Sequence, residues 1–290
     1  MAEGRPGSRT PKQVRVVVDG EARTRSDYLA TEEPLEIRLV AGGTRHTVAI
    51  TMRTPGADFE LAVGFLFSEG IISGRDDVRR VTYCIDRDVA PDQRFNIVNV
   101  ELASGTKPDL RSLERHFFTN SACGVCGKAS LDALELRGCR ALDDGPEVTA
   151  ELLYGLPERL RAAQGIFEST GGLHATGLFS PTGDLVALRE DVGRHNALDK
   201  LVGWAVLQGK VPLHDNLVLV SGRSSYEILQ KAITAGVGIV CGISAPSSLA
   251  VALAERFGVT LVGFLRDRRF NVYAHAERIK LAQPSALNIT

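Results

Sequence analysis

Short apolar runs alternate with helix-forming segments in the last third of the chain. The runs span residues 217–220, 239–243 and 260–265, and each of the first two is followed by a serine-rich loop and a segment with helical spacing. Each helical segment ends at a glycine, which is a common helix stop. Because this alternation is typical of a parallel sheet covered by helices, it predicts an α/β domain over residues 166–285.

The loops that follow the predicted strands have the composition of an anion site. Right-handed crossovers place the loops 221–225 and 244–248 at the carboxyl edge of the sheet, beside the segment 266–269 that follows the third strand. Helix N-termini, hydroxyl groups and arginines favour a phosphate or pyrophosphate there. Plain helix capping and a solvated arginine surface are the alternatives. The predicted anion-binding residues are Ser221, Gly222, Arg223, Ser224, Ser247, Arg266, Arg268 and Arg269, and Asp267 could accept hydrogen bonds from a base or ribose.

Two polar segments upstream of these strands each contain a candidate histidine. His174 lies in the glycine-rich segment 169–177, and His195 lies in the segment 189–200, just before an apolar helix. Two carboxylates, two arginines and His195 fall within seven residues there, and polar side chains in a first helical turn can face a pocket. A buried, hydrogen-bonded His174 and a salt-bridged helix cap around His195 are the structural alternatives.

The first hundred residues predict a smaller, strand-rich subdomain. Alternating apolar residues predict strands at residues 14–18, 35–40, 46–52, 81–85 and 95–102. Helices are expected from Phe59 to Leu66, ending before Gly70, and from 152 to 163. The chain accordingly divides into a disordered tail (1–12), a β-rich N-terminal subdomain (13–115), a CxxC loop and connector (116–165) and the α/β domain (166–285).

The segment 123–128 reads Cys-Gly-Val-Cys-Gly-Lys and presents two thiols, Cys123 and Cys126. One thiol can attack or carry an atom while the other resolves it, and the lysine favours the thiolate. Four interpretations are open: a zinc site completed by Cys139 and by His116 or His174, a thioredoxin-type pair, a deaminase centre, and a thiol that carries sulfur. A second cysteine pair, the usual redox-motif proline and the deaminase glutamate are all absent from the sequence pattern. Composition alone does not select the sulfur carrier.

Composition limits the partners and the compartment. The chain has 290 residues and a formal net charge of −1, so no global charge favours nucleic acid or a membrane surface. No apolar run approaches the ~20 residues of a membrane span, and the polar N-terminus does not resemble a signal peptide. The odd number of cysteines, five, argues for a reducing compartment. We therefore expect a cytoplasmic protein that binds neither nucleic acid nor membrane.

Six motifs in a fixed order carry a family resemblance. They occupy residues 52–61, 123–128, 170–175, 189–200, 221–227 and 244–250. Together they resemble the FdhD family, whose members are sulfur carrier proteins required for formate dehydrogenase activity. The resemblance extends from about residue 14 to 280. The family more often has Thr-Ser-Ser where this chain has Asn-Ser-Ala before Cys123, a departure that leaves both thiols intact.

The resemblance implies a specific chemistry for the two thiols. A cysteine desulfurase would transfer sulfur to Cys123 as a persulfide, with Cys126 as helper or relay. The carrier would then pass the sulfur to the molybdenum or tungsten of the bis-molybdopterin guanine dinucleotide cofactor of formate dehydrogenase. The family's cofactor segment matches Phe264, Leu265, Arg266, Asp267, Arg268 and Arg269, the basic edge already reached from topology. The resemblance also implies a deaminase-like α/β/α fold without the catalytic zinc or any structural metal, and a homodimer.

Two functions fit this combination of thiols and basic edge. The expected one is the sulfur carrier, with the arginines clamping phosphate, Asp267 reading a guanine edge, and His174 and His195 as further cofactor-binding residues. The alternative is a chaperone that binds and delivers the guanine dinucleotide cofactor non-covalently, with the cysteine pair serving redox protection or docking. The two differ in whether sulfur ever resides covalently on Cys123.

Overall fold

The computed structural model describes residues 7–91, 93–106, 139, 141–142 and 145–281, and it has a mixed α/β architecture. Its strands are β1 (Arg9–Val18), β2 (Glu21–Ala30), β3 (Glu33–Ala41), β4 (Thr44–Arg53), β5 (Val78–Tyr83), β6 (Ile97–Leu102), β7 (Val148–Thr149), β8 (His174–Phe179), β9 (Leu185–Asp191), β10 (Leu217–Val220), β11 (Ile239–Gly242), β12 (Thr260–Arg266), β13 (Arg269–Ala274) and β14 (Ile279–Lys280). Its helices are α1 (Asp58–Ser68), α2 (Ala150–Ala163), α3 (Gly165–Thr170), α4 (Arg194–Leu207), α5 (Tyr226–Thr234) and α6 (Ser248–Arg256). Among the described residues, no helix is both long and apolar enough to cross a membrane.

The C-terminal half is built on a six-stranded sheet in the order β13-β12-β11-β10-β8-β9. The three strands predicted from the sequence, β10, β11 and β12, are parallel to one another, as expected. The parallel arrangement stops at both sides, where β8 pairs antiparallel with β10 and β13 pairs antiparallel with β12. The link from β12 to β13 is only Asp267 and Arg268, which is far too short for a parallel crossover. The sheet is therefore mixed, with a parallel centre and antiparallel edges.

Helices cover both faces of this sheet. Strand β10 shows the separation, because Leu217 and Leu219 belong to the core on one face whereas Val218 and Val220 belong to the core on the other. The first core contains apolar residues of α2, and the second contains those of α4, α5 and α6. Successive side chains of a strand point to opposite faces, so a strand buried on both sides is apolar throughout.

The N-terminal half forms a four-stranded sheet in the order β4-β3-β6-β5, together with a β1–β2 hairpin. Asp19 and Gly20, both at positive φ, make the hairpin's two-residue turn. Strand β1 begins at Arg9, where Arg9 and Ala30 are paired, so ordered structure starts earlier than the predicted boundary at residue 12. Its partner β2 was not predicted, because it is mostly polar and lacks an apolar alternation.

A close helix crossing joins the two halves. At Gly64 of α1, an added Cβ would lie 1.8 Å from the backbone oxygen of Asp199, and at Gly203 of α4 it would lie 1.8 Å from that of Glu60. Only glycine permits this backbone approach. The four-stranded sheet, α1, α4 and one face of the six-stranded sheet therefore share one continuous core.

Candidate functional site at the carboxyl edge of the sheet

The two serine-rich loops lie side by side at the carboxyl edge of β10 and β11. Ser224 and Pro246 form an isolated parallel bridge, and the Ser247 amide donates to the Ser224 carbonyl at 3.0 Å. Ser247 caps α6, since its side chain accepts a hydrogen bond from the Ala250 amide at 3.2 Å. Helix capping, the alternative to anion binding in the sequence analysis, is therefore an observed role of Ser247. Ser224 is fully buried, and its Oγ has no hydrogen-bond partner among the described residues.

The tip of the β12–β13 hairpin projects beside these loops. Asp267 and Arg268 both have positive φ, as a tight hairpin turn with the twist of the sheet requires. Phe264 also has a positive φ, 53°, within a register shift of β12, and its amide donates to the Ser244 carbonyl at 3.2 Å. A left-handed conformation is strained for a bulky residue, and such strain concentrates at functional sites. Phe264, Arg266, Asp267 and Arg269 line a cleft beside this bulge, which we name the hairpin cleft.

The three arginines of the hairpin are not equivalent. Arg268 binds Glu151 of α2, with Nη2 2.8 Å from Oε2, and its guanidinium lies 4.9 Å from the centre of the Tyr154 ring. Within the described residues, Arg266 and Arg269 form no ion pair. Both are exposed and line the cleft, whereas Leu265 is fully buried beneath it. The hairpin cleft therefore offers one carboxylate, one aromatic residue and two guanidinium groups that have no ion-pair partner in the described part of the chain.

A second polar group lies where β8 begins, at the same edge. The Ser221 Oγ accepts a hydrogen bond from the Ala175 amide at 2.9 Å and lies 3.5 Å from the His174 Nδ1. Gly222 is enclosed by His174 and Arg194, since an added Cβ would lie 3.4 Å from the His174 Nδ1 and 3.6 Å from the Arg194 Cδ. Burial, followed by the charges of Arg194 and His195, lowers the pKa of His174. His174 is half-buried and neutral near pH 7, and the Nδ1 and Cε1 atoms of its ring lie nearest to Gly222.

His195 is tied to the helix that follows the first serine loop. Its Nε2 lies 2.8 Å from the Glu227 Oε2 and 3.3 Å from the Ser225 Oγ. The hydrogen bond with His195 lowers the pKa of Glu227. His195 thus joins α4 to α5, and the predicted salt-bridged cap describes part of its environment.

The other charges of the segment 189–200 anchor it to the N-terminal half. Asp191 is fully buried and pairs with Lys200, with Oδ2 2.7 Å from Nζ. Asp191 also accepts from the Thr54 amide at 3.1 Å, while Lys200 donates to the Thr54 carbonyl at 2.8 Å. Asn196 donates to the Met52 carbonyl at 2.7 Å. These bonds fix the turn that presents Arg194 and His195.

The remaining predicted site residues are distributed as follows. Arg223 is exposed on the first serine loop and forms no ion pair within the described part of the chain. Cys123 and Cys126 lie outside the described residues, as does His116. Cys139 lies with its sulfur 4.0 Å from the Thr234 Oγ1, and no group of three or more potential metal ligands occurs among the described residues.

Comparison with known proteins decides the family. A model of the FdhD/NarQ family matches residues 30–280. The chain belongs to the FdhD/NarQ family. A member from Streptomyces avermitilis, named sulfur carrier protein FdhD, is 51% identical over 278 residues, which cover 95% of this chain and 97% of that protein. Another with this name, from Sulfurisphaera tokodaii, is 48% identical over 253 residues, 87% of this chain and 92% of that protein.

A solved structure gives the same family placement. It is a crystal structure from Desulfotalea psychrophila, described as that of a formate dehydrogenase accessory protein. It superposes with a TM-score of 0.71 at 25% sequence identity, covering 94% of this chain and 99% of the other.

Two residues of the candidate site are not assigned by the sequence analysis. Arg194 was noted only as one charge in a charged segment, and Glu227 only as part of a motif. The role of Arg194 depends on its distance to Gly222, and that of Glu227 on its distance to His195. Each of these pairs joins residues that are far apart in sequence. The charge density of residues 189–195 was the only available signal.

Proposed function

We propose that this protein is a sulfur carrier for formate dehydrogenase. In this proposal Cys123 accepts sulfur from a cysteine desulfurase, and the carrier transfers it to the molybdenum or tungsten of a bis-molybdopterin guanine dinucleotide, its client cofactor. The observation that carries the proposal is the Cys123/Cys126 pair in a chain 51% identical to a protein named sulfur carrier. The anion-binding character of the sheet edge supports a nucleotide client.

The two thiols together account for the bonds and electrons of the sulfur transfer. The Cys123 thiolate attacks the outer sulfur of the desulfurase persulfide, so the donor leaves as a thiolate and Cys123 becomes a persulfide. Attack of the Cys126 thiolate on the inner sulfur then forms a Cys123–Cys126 disulfide and releases the outer sulfur as sulfide. The two thiols supply the two electrons, and a dithiol reductant regenerates the pair. The sulfide becomes the sulfido ligand of the client metal.

The hairpin cleft supplies groups suited to a guanine nucleotide. Arg266 and Arg269 are exposed donors for phosphate, Phe264 offers an aromatic ring, and Asp267 can accept from a guanine edge. A deaminase-like fold of the C-terminal domain, a homodimeric assembly and a cytoplasmic location complete the proposal.

Mass spectrometry after anaerobic incubation with a cysteine desulfurase and L-cysteine tests the carrier step. We expect one added sulfur atom on the peptide that contains Cys123, removable by reductant and absent from Cys123→Ala. The matched control is Cys241→Ala, because burial raises the pKa of the Cys241 thiol to about 12 and keeps it unreactive. Cys123→Ala should fold normally but fail to activate apo-formate dehydrogenase. Activation by that variant would contradict the carrier role.

The basic edge also supports the delivery chaperone as a second candidate, because cofactor binding by its exposed arginines does not require the two thiols. If Cys123 gains no sulfur from a desulfurase that is active on another acceptor, while the protein still binds guanine nucleotide, delivery becomes the better explanation.

A further inference from the structure

Arg194 forms no ion pair with any of the described residues. It begins α4 and is partly buried, yet no carboxylate lies within ion-pair distance of it in the described part of the chain. Its Nε is buried and has no hydrogen-bond partner among the described residues. A buried guanidinium donor without an acceptor is costly, so this N–H group is available to an anionic acceptor.

The space beside Arg194 is shaped by a glycine. A methyl group on Gly222 would contact both the His174 Nδ1 and the Arg194 Cδ, at 3.4 and 3.6 Å. Gly222 has no positive φ, so the backbone does not require glycine at this position. Because glycine has no side chain, space remains at Gly222 between the His174 imidazole and the Arg194 side chain. We name this space, bounded by His174, Arg194 and Gly222, the arginine cradle.

The charge around the arginine cradle is positive. The charged or titratable groups that act on His174 are Arg194, His195 and Asp191. Asp191 is already paired with Lys200 on the other side of the turn, and Glu227 is occupied by His195. Arg194 acts on Glu227 only at a distance and forms no ion pair within the described residues. The His174 imidazole beside it can become a second cation when an anion arrives.

The arginine cradle and the hairpin cleft are separate places on one edge. The arginine cradle lies at the start of β8 and the hairpin cleft lies at the end of β12, three strand spacings apart in the sheet order. At about 4.8 Å per spacing, the two are roughly 14 Å apart along the edge. One small anion cannot occupy both, but a ligand with several phosphate groups can contact both.

We propose that the arginine cradle is a second phosphate subsite, which binds a phosphate or diphosphate group of the client through Arg194 and His174. This rests on the proposed function, because a dinucleotide cofactor with two diphosphates supplies more than one such group. The hairpin cleft holds one part of the client and the arginine cradle holds another. The client would thereby be fixed at two points along the sheet edge.

Calorimetric titration with inorganic pyrophosphate tests the arginine cradle. We expect Arg194→Gln to weaken binding about tenfold or more, since a charge-assisted contact is lost. Gly222→Ala should weaken it as well, because the methyl group enters the space. Arg79→Gln, an exposed arginine on β5, removes the same charge elsewhere and should bind like the wild type. The melting temperature of each variant should stay close to the wild-type value.

The outcomes separate this proposal from the proposed function. Unchanged pyrophosphate affinity in Arg194→Gln, or no saturable binding by the wild type, overturns the arginine cradle. Sulfur loading of Cys123 is measured in the same variant and should be normal, because Arg194 is assigned no part in loading. Weakened pyrophosphate binding without any sulfur loading in the wild type would support the arginine cradle and count against the carrier.

Discussion

Charged side chains behave in opposite ways in the helical interior and at the sheet edge. In the interior, Asp199 lies 2.9 Å from Lys231 and 2.9 Å from the Ser68 hydroxyl, and nearly all of each side chain is buried. The same holds for the Asp191–Lys200 pair. At the edge, Arg194, Arg266 and Arg269 have no ion-pair partner within the described residues.

The contrast separates structural charges from charges available to a ligand. A buried ion cannot be left alone, since an isolated buried charge costs several kcal/mol, and in both interior pairs a carboxylate is matched by an ammonium group. A cation at the edge keeps part of its hydration and can exchange it for a ligand. Charge clustering in the sequence looks alike in both cases, and only the pairing distinguishes them.

The largest effect is expected where the two halves cross. Gly64→Ala and Gly203→Ala each place a Cβ 1.8 Å from a backbone oxygen of the opposite helix, which forces the helices apart. We expect a loss of about 3 kcal/mol or more in unfolding free energy, or failure to fold. Urea denaturation followed by circular dichroism measures it.

Gly155→Ala is the matched control for this crossing. Gly155 also lies inside a helix, but an added Cβ would meet nothing closer than the Arg159 Nε at 3.9 Å. This variant should be stabilised by up to about 1 kcal/mol, since alanine favours helix. Equal destabilisation at Gly64 and Gly155 would show that the close crossing is not what holds the halves together.

The next effect concerns the interior ion pair that anchors the edge. Lys200→Met removes the ammonium group but keeps a long apolar side chain, leaving the fully buried Asp191 carboxylate without its cation. We expect about 3–5 kcal/mol of destabilisation in urea titrations. The double variant Asp191→Asn/Lys200→Met should recover part of this loss, because it leaves no buried charge. A single-variant cost well under 1 kcal/mol would remove the distinction between paired interior charges and edge charges.

The parallel strands and the basic edge were within reach of the sequence because they depend on local patterns. A buried strand such as Leu217–Val220 is apolar throughout, and a serine-rich loop must follow it at a defined edge. Strand β2 is not predicted because its exposed polar positions conceal the alternation. Strand β9 is not predicted because its buried end carries the charged residues Glu190 and Asp191. The hairpin turn at Asp267 and Arg268 is not predicted either, because the sequence Arg-Asp-Arg-Arg lacks the glycine or asparagine that favours such turns.

The distinction among the arginines could not be obtained from the sequence. Arg266, Arg268 and Arg269 are nearly adjacent, but Arg268 belongs to the turn and contacts Glu151 and Tyr154 of α2. Arg194 depends on contacts with His174 and Gly222, whose positions are set by the β8–β10 pairing. Long-range pairing of this kind has no local signature.

An intermediate effect on ligand binding, without one on stability, is expected at the hairpin. Arg266→Gln/Arg269→Gln removes two exposed guanidinium groups that support no other contact in the described structure. We expect GDP binding to weaken about tenfold or more, with an unchanged melting temperature. Arg268→Gln is the control, and should alter GDP affinity much less, because its guanidinium is engaged with α2. A stronger effect of Arg268→Gln than of the double variant would contradict the assignment of the cleft.

The smallest effect is a change in the titration of His174, followed through its ring proton by NMR. Burial and the Arg194 charge lower the pKa of His174, so Arg194→Gln should raise it toward the usual value. Pyrophosphate should raise the pKa of His174 in the wild type, because an anion favours the imidazolium, and should raise it less in Arg194→Gln.

The lowered pKa of His174 also sets how this residue changes the stability of the protein with pH. Its contribution to the unfolding free energy is present above the unfolded-state pKa of about 6.5 and is lost as the pH falls through the lower folded-state pKa. Acid should therefore destabilise the free protein through this group, and bound anion should offset that loss. A His174 pKa that ignores both the substitution and the anion would place the imidazole outside the arginine cradle, and the edge would then hold a single anion site at the hairpin.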